Sequence, residues 1–83
     1  MSQTWVDLYT LTDLQTKIMH FVDDWARTKK TPIPHGEIII GMKKDKVKES
    51  SSVYAIRALL HKGYIRRAII RSNKFFYVQL RRV

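Results

Sequence analysis

Apolar residues recur at Leu14, Ile18, Phe21, Val22 and Trp25, the spacing that lines one face of an α-helix. Thr12 stands just ahead of them as an N-cap, Gln15 three residues later completes a capping box, and Asp13 suits the positive end of the helix dipole. The pattern predicts a helix from Asp13 to Thr28, its stripe serving as core. Lys29 to Pro34 is expected to be a loop, because Pro32 and Pro34 disfavour helical backbone in the residues before them. A short second helix is expected from His35 to Met42 with Ile38 and Ile39 inward, although Ile38-Ile39-Ile40 also suits a strand by propensity.

Lys43 to Lys48 is expected to be a lysine-rich connector. Ser50, Ser51 and Ser52 are N-cap candidates, and Val53, Ile56, Leu59 and Leu60 follow at helical spacing. A third helix from Ser50 to Lys62 results, with Gly63 as its stop signal. The remainder reads as a β-hairpin turning at Ser72-Asn73. That register puts Ile65, Arg67 and Ile69 on the covered face with Phe76, Val78 and Leu80, and leaves Phe75 and Tyr77 on the open face. The expected fold class is α+β: a winged helix-turn-helix of three helices followed by a two-stranded hairpin wing. It would span residues 11–83, behind an N-terminal extension of residues 1–10.

Length adds that 83 residues make one domain, and 45% apolar content suffices for a compact core. Charge changes the picture more. The net charge is +9, yet residues 1–42 net −1 and residues 43–83 net +10, the latter with twelve cations against Asp45 and Glu49 alone. A segregated basic half is the footprint of a polyanion. Nucleic acid fits it best, with an acidic protein or anionic lipid as the alternatives.

On the third helix the side opposite the apolar stripe carries Ser50, Ser51, Tyr54, Ala58 and His61, bordered by Arg57 and Ala55. It has no acid, and its alanines would allow close approach to base edges. Ser50 and Ser51 stand where hydroxyls, backbone N–H groups and the dipole favour a phosphate or base contact, or act as caps alone. Arg71, Asn73 and Lys74 at the hairpin tip suit backbone phosphates or a minor groove, and Lys43, Lys44, Lys46 and Lys48 suit phosphates.

Three segments carry a family resemblance: Leu11-Thr12-Asp13-Leu14-Gln15, Pro32-Ile33-Pro34-His35-Gly36-Glu37-Ile38, and Ala58-Leu59-Leu60-His61-Lys62-Gly63-Tyr64-Ile65. Over about residues 11–80 they resemble the DNA-binding domain of LexA repressors. That domain has a Leu-Thr opening, a Pro-x-x-x-Glu-Ile start to its second helix, and a recognition helix ending in Ala-Leu-x-x-Lys-Gly-x-Ile. The resemblance implies a winged helix-turn-helix with Lys48, Ser50, Ser51, Val53 and Tyr54 near the base-reading positions, although the apolar stripe turns Val53 inward. The stretch from Glu37 to Lys62 is about two residues longer than in that family, and the differing recognition residues imply a different operator. With the chain ending at Val83, the family's self-cleaving, dimer-forming second domain is not expected, nor is derepression by cleavage.

The function expected is therefore sequence-specific binding of double-stranded DNA, as a small prokaryotic or phage transcriptional regulator in the cytoplasm. Trp5, Leu8 and Tyr9 are candidate contacts for a homodimer or protein partner. The rival reading is a protein-interaction adaptor on the same fold, anchored by Trp5 and Leu8. A third is a single-strand or RNA binder using Phe75 and Tyr77. Enzyme activity, a cofactor and a metal are not expected. His20, His35 and His61 lie on different elements, no glycine-rich phosphate loop is present, and Asp23-Asp24 read as solvated surface. The absence of cysteine excludes a disulfide framework and a cysteine zinc site. Met1 to Thr10 does not read as a signal peptide, and Ile38-Ile39-Ile40 is too short to span a membrane.

Overall fold

The computed structural model describes residues 11–69 and 75–82, which form an α+β unit of three helices and a three-stranded antiparallel sheet. Helix α1 (Asp13–Lys29) starts at the expected capping box. The Gln15 N–H donates to Thr12 Oγ1 at 3.1 Å and the Thr12 N–H donates to Gln15 Oε1 at 3.2 Å, so two of the end's orphan donors are satisfied reciprocally. The helix ends on Lys30, which takes a left-handed conformation (φ 56°) and donates its N–H to the Ala26 carbonyl.

The expected loop is corrected at its end. Ile33–Pro34 form a short strand, β1, with Ile33 opposite Tyr77 and Pro34 opposite Phe76. A proline without an N–H is tolerated here because β1 lies at the edge of the sheet. Helix α2 (His35–Lys44) follows directly. It buries Ile38, Ile39 and Met42 and turns Ile40 outward, 52% exposed, which decides between helix and strand. A strand would have put Ile38 and Ile40 on one face. Gly41 lets α1 and α2 approach closely, since a Cβ there would come within 2.8 Å of the Phe21 ring.

The lysine connector is shorter than expected. Lys43 and Lys44 belong to the last turn of α2, and the link to α3 (Glu49–His61) begins at Asp45. The serine caps are corrected too. The N-cap is Lys48, which makes no side-chain cap bond, and Glu49 supplies the first-turn acid. The Ser52 N–H bonds to the Lys48 carbonyl at 3.1 Å, and the Ser52 side chain is fully buried. After α3, Gly63 adopts φ 79°, where a Cβ would strain the backbone.

Strands β2 (Ile65–Ile69) and β3 (Phe75–Gln79) pair in a register one residue away from the expected one: Ile65 faces Gln79, Arg67 faces Tyr77 and Ile69 faces Phe75. The slip turns β3 over. Tyr77 is buried at 3% exposure where an open position was expected, and Leu80 is 51% exposed where burial was expected. Arg67, expected against the helices, is exposed. The Ser72-Asn73 turn lies outside the described residues. The sheet order is β1-β3-β2, three strands where two were expected, so β3 is central. One core joins all six elements through Ile18, Ile33, Ile38, Ile56, Ile65 and Tyr77.

Candidate nucleic-acid interface

Helix α3 divides into two faces. Ser52, Ala55, Ile56 and Leu59 are buried, which anchors the helix on the core and fixes its rotation. Ser50, Ser51, Tyr54, Arg57 and His61 are exposed on the other side, with Tyr54 77% exposed. This is the expected surface with one correction: Ala55 is inside, its small side chain packing against the core. Val53 is half-buried, touching the core and also lining a shallow groove beside Glu49, Ser50, Tyr54 and Arg57.

A second groove lies between the C-terminal half of α3 and strand β2. Its rim carries Arg57, His61, Arg66 and Arg67, and Leu60 and Ile65 complete the lining. Arg57 lines both grooves, so the two lie next to each other along α3. Arg66 and Arg67 were legible as hairpin cations, but their place beside Arg57 and His61 is set by how β2 packs on α3.

The acids near these grooves are neutralised. Of the two in residues 43–83, Asp45 lies 3.6 Å from Lys17 and Glu49 lies 3.7 Å from Lys43. Such exposed pairs add little stability, but they cancel negative charge where an anion would approach. Lys44, Lys46 and Lys48 are exposed around the α2–α3 turn. Asp23 and Asp24 both pair with Arg27, and Gln79 Nε2 donates to Asp23 at 3.2 Å, so Asp23 is half-covered and not simply solvated. Arg71, Asn73 and Lys74 lie outside the described residues, as do Trp5, Leu8 and Tyr9.

The open aromatic face expected for single-strand binding does not form. Phe75 is 48% exposed, but Tyr77 is in the core. Its hydroxyl sits 2.9 Å from His35 Nδ1, at the start of α2. Burial raises the Tyr77 pKa, and the charge and hydrogen bond of the Arg67 guanidinium pull part of the way back. The Arg67 guanidinium also lies 4.8 Å from the centre of the Phe75 ring.

No family model, curated protein or solved structure matches the chain. The geometry and chemistry of the site therefore carry the functional reading. Among the described residues no group of three His, Cys, Asp or Glu could hold a metal ion, and no helix is long and apolar enough to cross a membrane.

Proposed function

We propose that this protein is a sequence-specific double-stranded DNA-binding protein of the winged helix-turn-helix kind, acting as a small transcriptional regulator. Helix α3 enters the major groove, and β2 lies against the sugar-phosphate backbone beside it. The observation that carries this reading is the pair of neighbouring grooves that share Arg57. The one on α3 offers the Ser50 hydroxyl and the protruding Tyr54, the one between α3 and β2 offers Arg57 and His61 from the helix and Arg66 and Arg67 from the strand, and their one acid is paired with Lys43.

The division of labour follows from the chemistry. Ser50, Ser51 and Tyr54 stand where the exposed face of a groove-bound helix meets base edges, and Arg57 is long enough to donate to a guanine or a phosphate. Arg66 and Arg67 belong to a strand, where they would hold phosphates without reading sequence. Lys44, Lys46 and Lys48 extend the cationic border around the α2–α3 turn. The helix order and the three-stranded sheet are compatible with a winged helix, and the resemblance to LexA DNA-binding domains points the same way.

Selection of bound duplexes from a random pool, followed by a salt titration on the selected site, tests the proposal. The expected result is an enriched motif, with log K falling linearly as log salt rises and a slope of several units. Equal affinity for selected and random duplexes, or a flat salt response, overturns it.

A further inference from the structure

Phe75 leaves about half of its surface, 48%, in contact with solvent, although its strand neighbour Tyr77 is buried. What lies over its ring is a cation: the Arg67 Cζ is 4.8 Å from the ring centre. The strand register makes this contact a cross-strand diagonal, with Arg67 directly opposite Tyr77 and Phe75 opposite the residue two further along. Arg67 therefore lies beside the Phe75 ring on the same side of the sheet as Tyr77.

The Tyr77 hydroxyl is itself fixed. It carries one proton and lies 2.9 Å from His35 Nδ1. This contact ties Tyr77, the cross-strand partner of Arg67, to the first residue of α2. Stacking uses the flat face of a guanidinium and leaves N–H groups at its edge free to bond an anion. Arg67 shares its groove with Arg57, His61 and Arg66.

We propose that Phe75 is a positioning residue for Arg67, holding its guanidinium at the groove beside α3 so that its free edge meets a backbone phosphate. The phosphate part rests on the DNA-binding reading, whereas the holding of the guanidinium does not. A long cationic side chain loses much rotamer freedom when it binds. Here part of that loss has already occurred in the free protein, so binding is tighter without an additional contact.

The test is a double-mutant cycle on duplex affinity with Phe75→Leu and Arg67→Gln. Leucine keeps an apolar side chain at the half-exposed position and removes the ring face. Arg67→Gln is expected to lower the salt slope by about 0.9, the effect of leaving one phosphate without its cation. Phe75→Leu is expected to weaken binding by about two- to fivefold, the size of an exposed cation–π contact. In the Arg67→Gln background it should change nothing, and Phe75→Trp should restore near-original affinity. An equal loss from Phe75→Leu in both backgrounds, or no loss in either, overturns the positioning role.

A second readout needs no DNA. The heteronuclear NOE of the Arg67 Nε–Hε group should report a rigid side chain in the free protein and a mobile one in Phe75→Leu. Mobility equal to that of Arg82 in the unmodified protein overturns the positioning role whatever the DNA result. A rigid Arg67 with no salt-dependent duplex binding overturns the DNA-binding reading and leaves the positioning role standing.

Discussion

The Tyr77 hydroxyl and His35 Nδ1, 42 residues apart in sequence, lie 2.9 Å from each other and join the central strand of the sheet to the first residue of α2. Tyr77 also lies opposite Ile33 on one side and Arg67 on the other. One side chain thus connects the edge strand, α2 and the cationic strand. Tyr77→Phe keeps the ring and removes this connection. It should cost about 1–2 kcal/mol, because His35 and Arg67 lose their shared partner. Urea unfolding followed by circular dichroism would measure this, and an unchanged midpoint would rule it out.

The same hydroxyl predicts a difference at alkaline pH. Its pKa in the folded protein is raised by burial, offset in part by Arg67. A group raised in this way stabilises the fold fully below its unfolded pKa, about 10, and that contribution is lost as pH rises through the folded value. The stability gap between the unmodified protein and Tyr77→Phe should stay constant from pH 7 to about pH 9 and narrow above about pH 10. A gap that widens there would reverse the sign of the argument.

Ser52 should be better as alanine. Its side chain is wholly buried on α3, and its Oγ has no hydrogen-bond partner among the described residues. An unsatisfied buried hydroxyl costs about 1–3 kcal/mol, and alanine has the higher helix propensity. Ser52→Ala is expected to raise stability by about 1 kcal/mol, while Ser50→Ala and Ser51→Ala, both exposed and neither a cap, should stay within about 0.5 kcal/mol. Thermal melts of the three variants distinguish them. Destabilisation by Ser52→Ala would reveal a partner for the hydroxyl.

Thr12→Ala removes half of the capping box and should cost about 1 kcal/mol. Gln15 does more than cap, since Lys62 Nζ donates to its Oε1 at 2.8 Å and links the start of α1 to the residue after α3. Gln15→Ala should therefore cost more than Thr12→Ala. Equal urea midpoints for the two would make the Lys62 contact energetically silent.

On DNA, Tyr54→Ala should reduce discrimination between the selected and random duplexes more than it reduces affinity for the random one. Arg66→Ala combined with Arg57→Ala should weaken both duplexes, and the salt slope should fall by about 0.9 for each phosphate no longer neutralised. Filter binding at three salt concentrations separates the patterns, and the reverse assignment would exchange the roles of helix and strand.

Much of the candidate site is legible in the amino-acid sequence. The exposed α3 face with Ser50, Ser51, Tyr54, Arg57 and His61 follows from a helix whose apolar stripe lies opposite. The start of that helix is harder to place because three consecutive serines look like caps, whereas burial draws Ser52 into the core and leaves Lys48 as the boundary. Arg66 and Arg67 are visible as charges but not as neighbours of Arg57, since that depends on how β2 packs against α3.

The amino-acid sequence alone determined the first and third helices, because a 3.6-residue periodicity, and at the first a reciprocal cap, act over a few neighbouring residues and require nothing from the rest of the chain. It likewise determined the concentration of positive charge in the second half. Tertiary structure alone decided that Ile33–Pro34 become a strand, that β3 buries Tyr77, and that Phe75 comes to lie beside Arg67. Each of these depends on pairing between distant backbones, and a strand's side chains alternate every residue, so a slip of one position exchanges its inside and its outside.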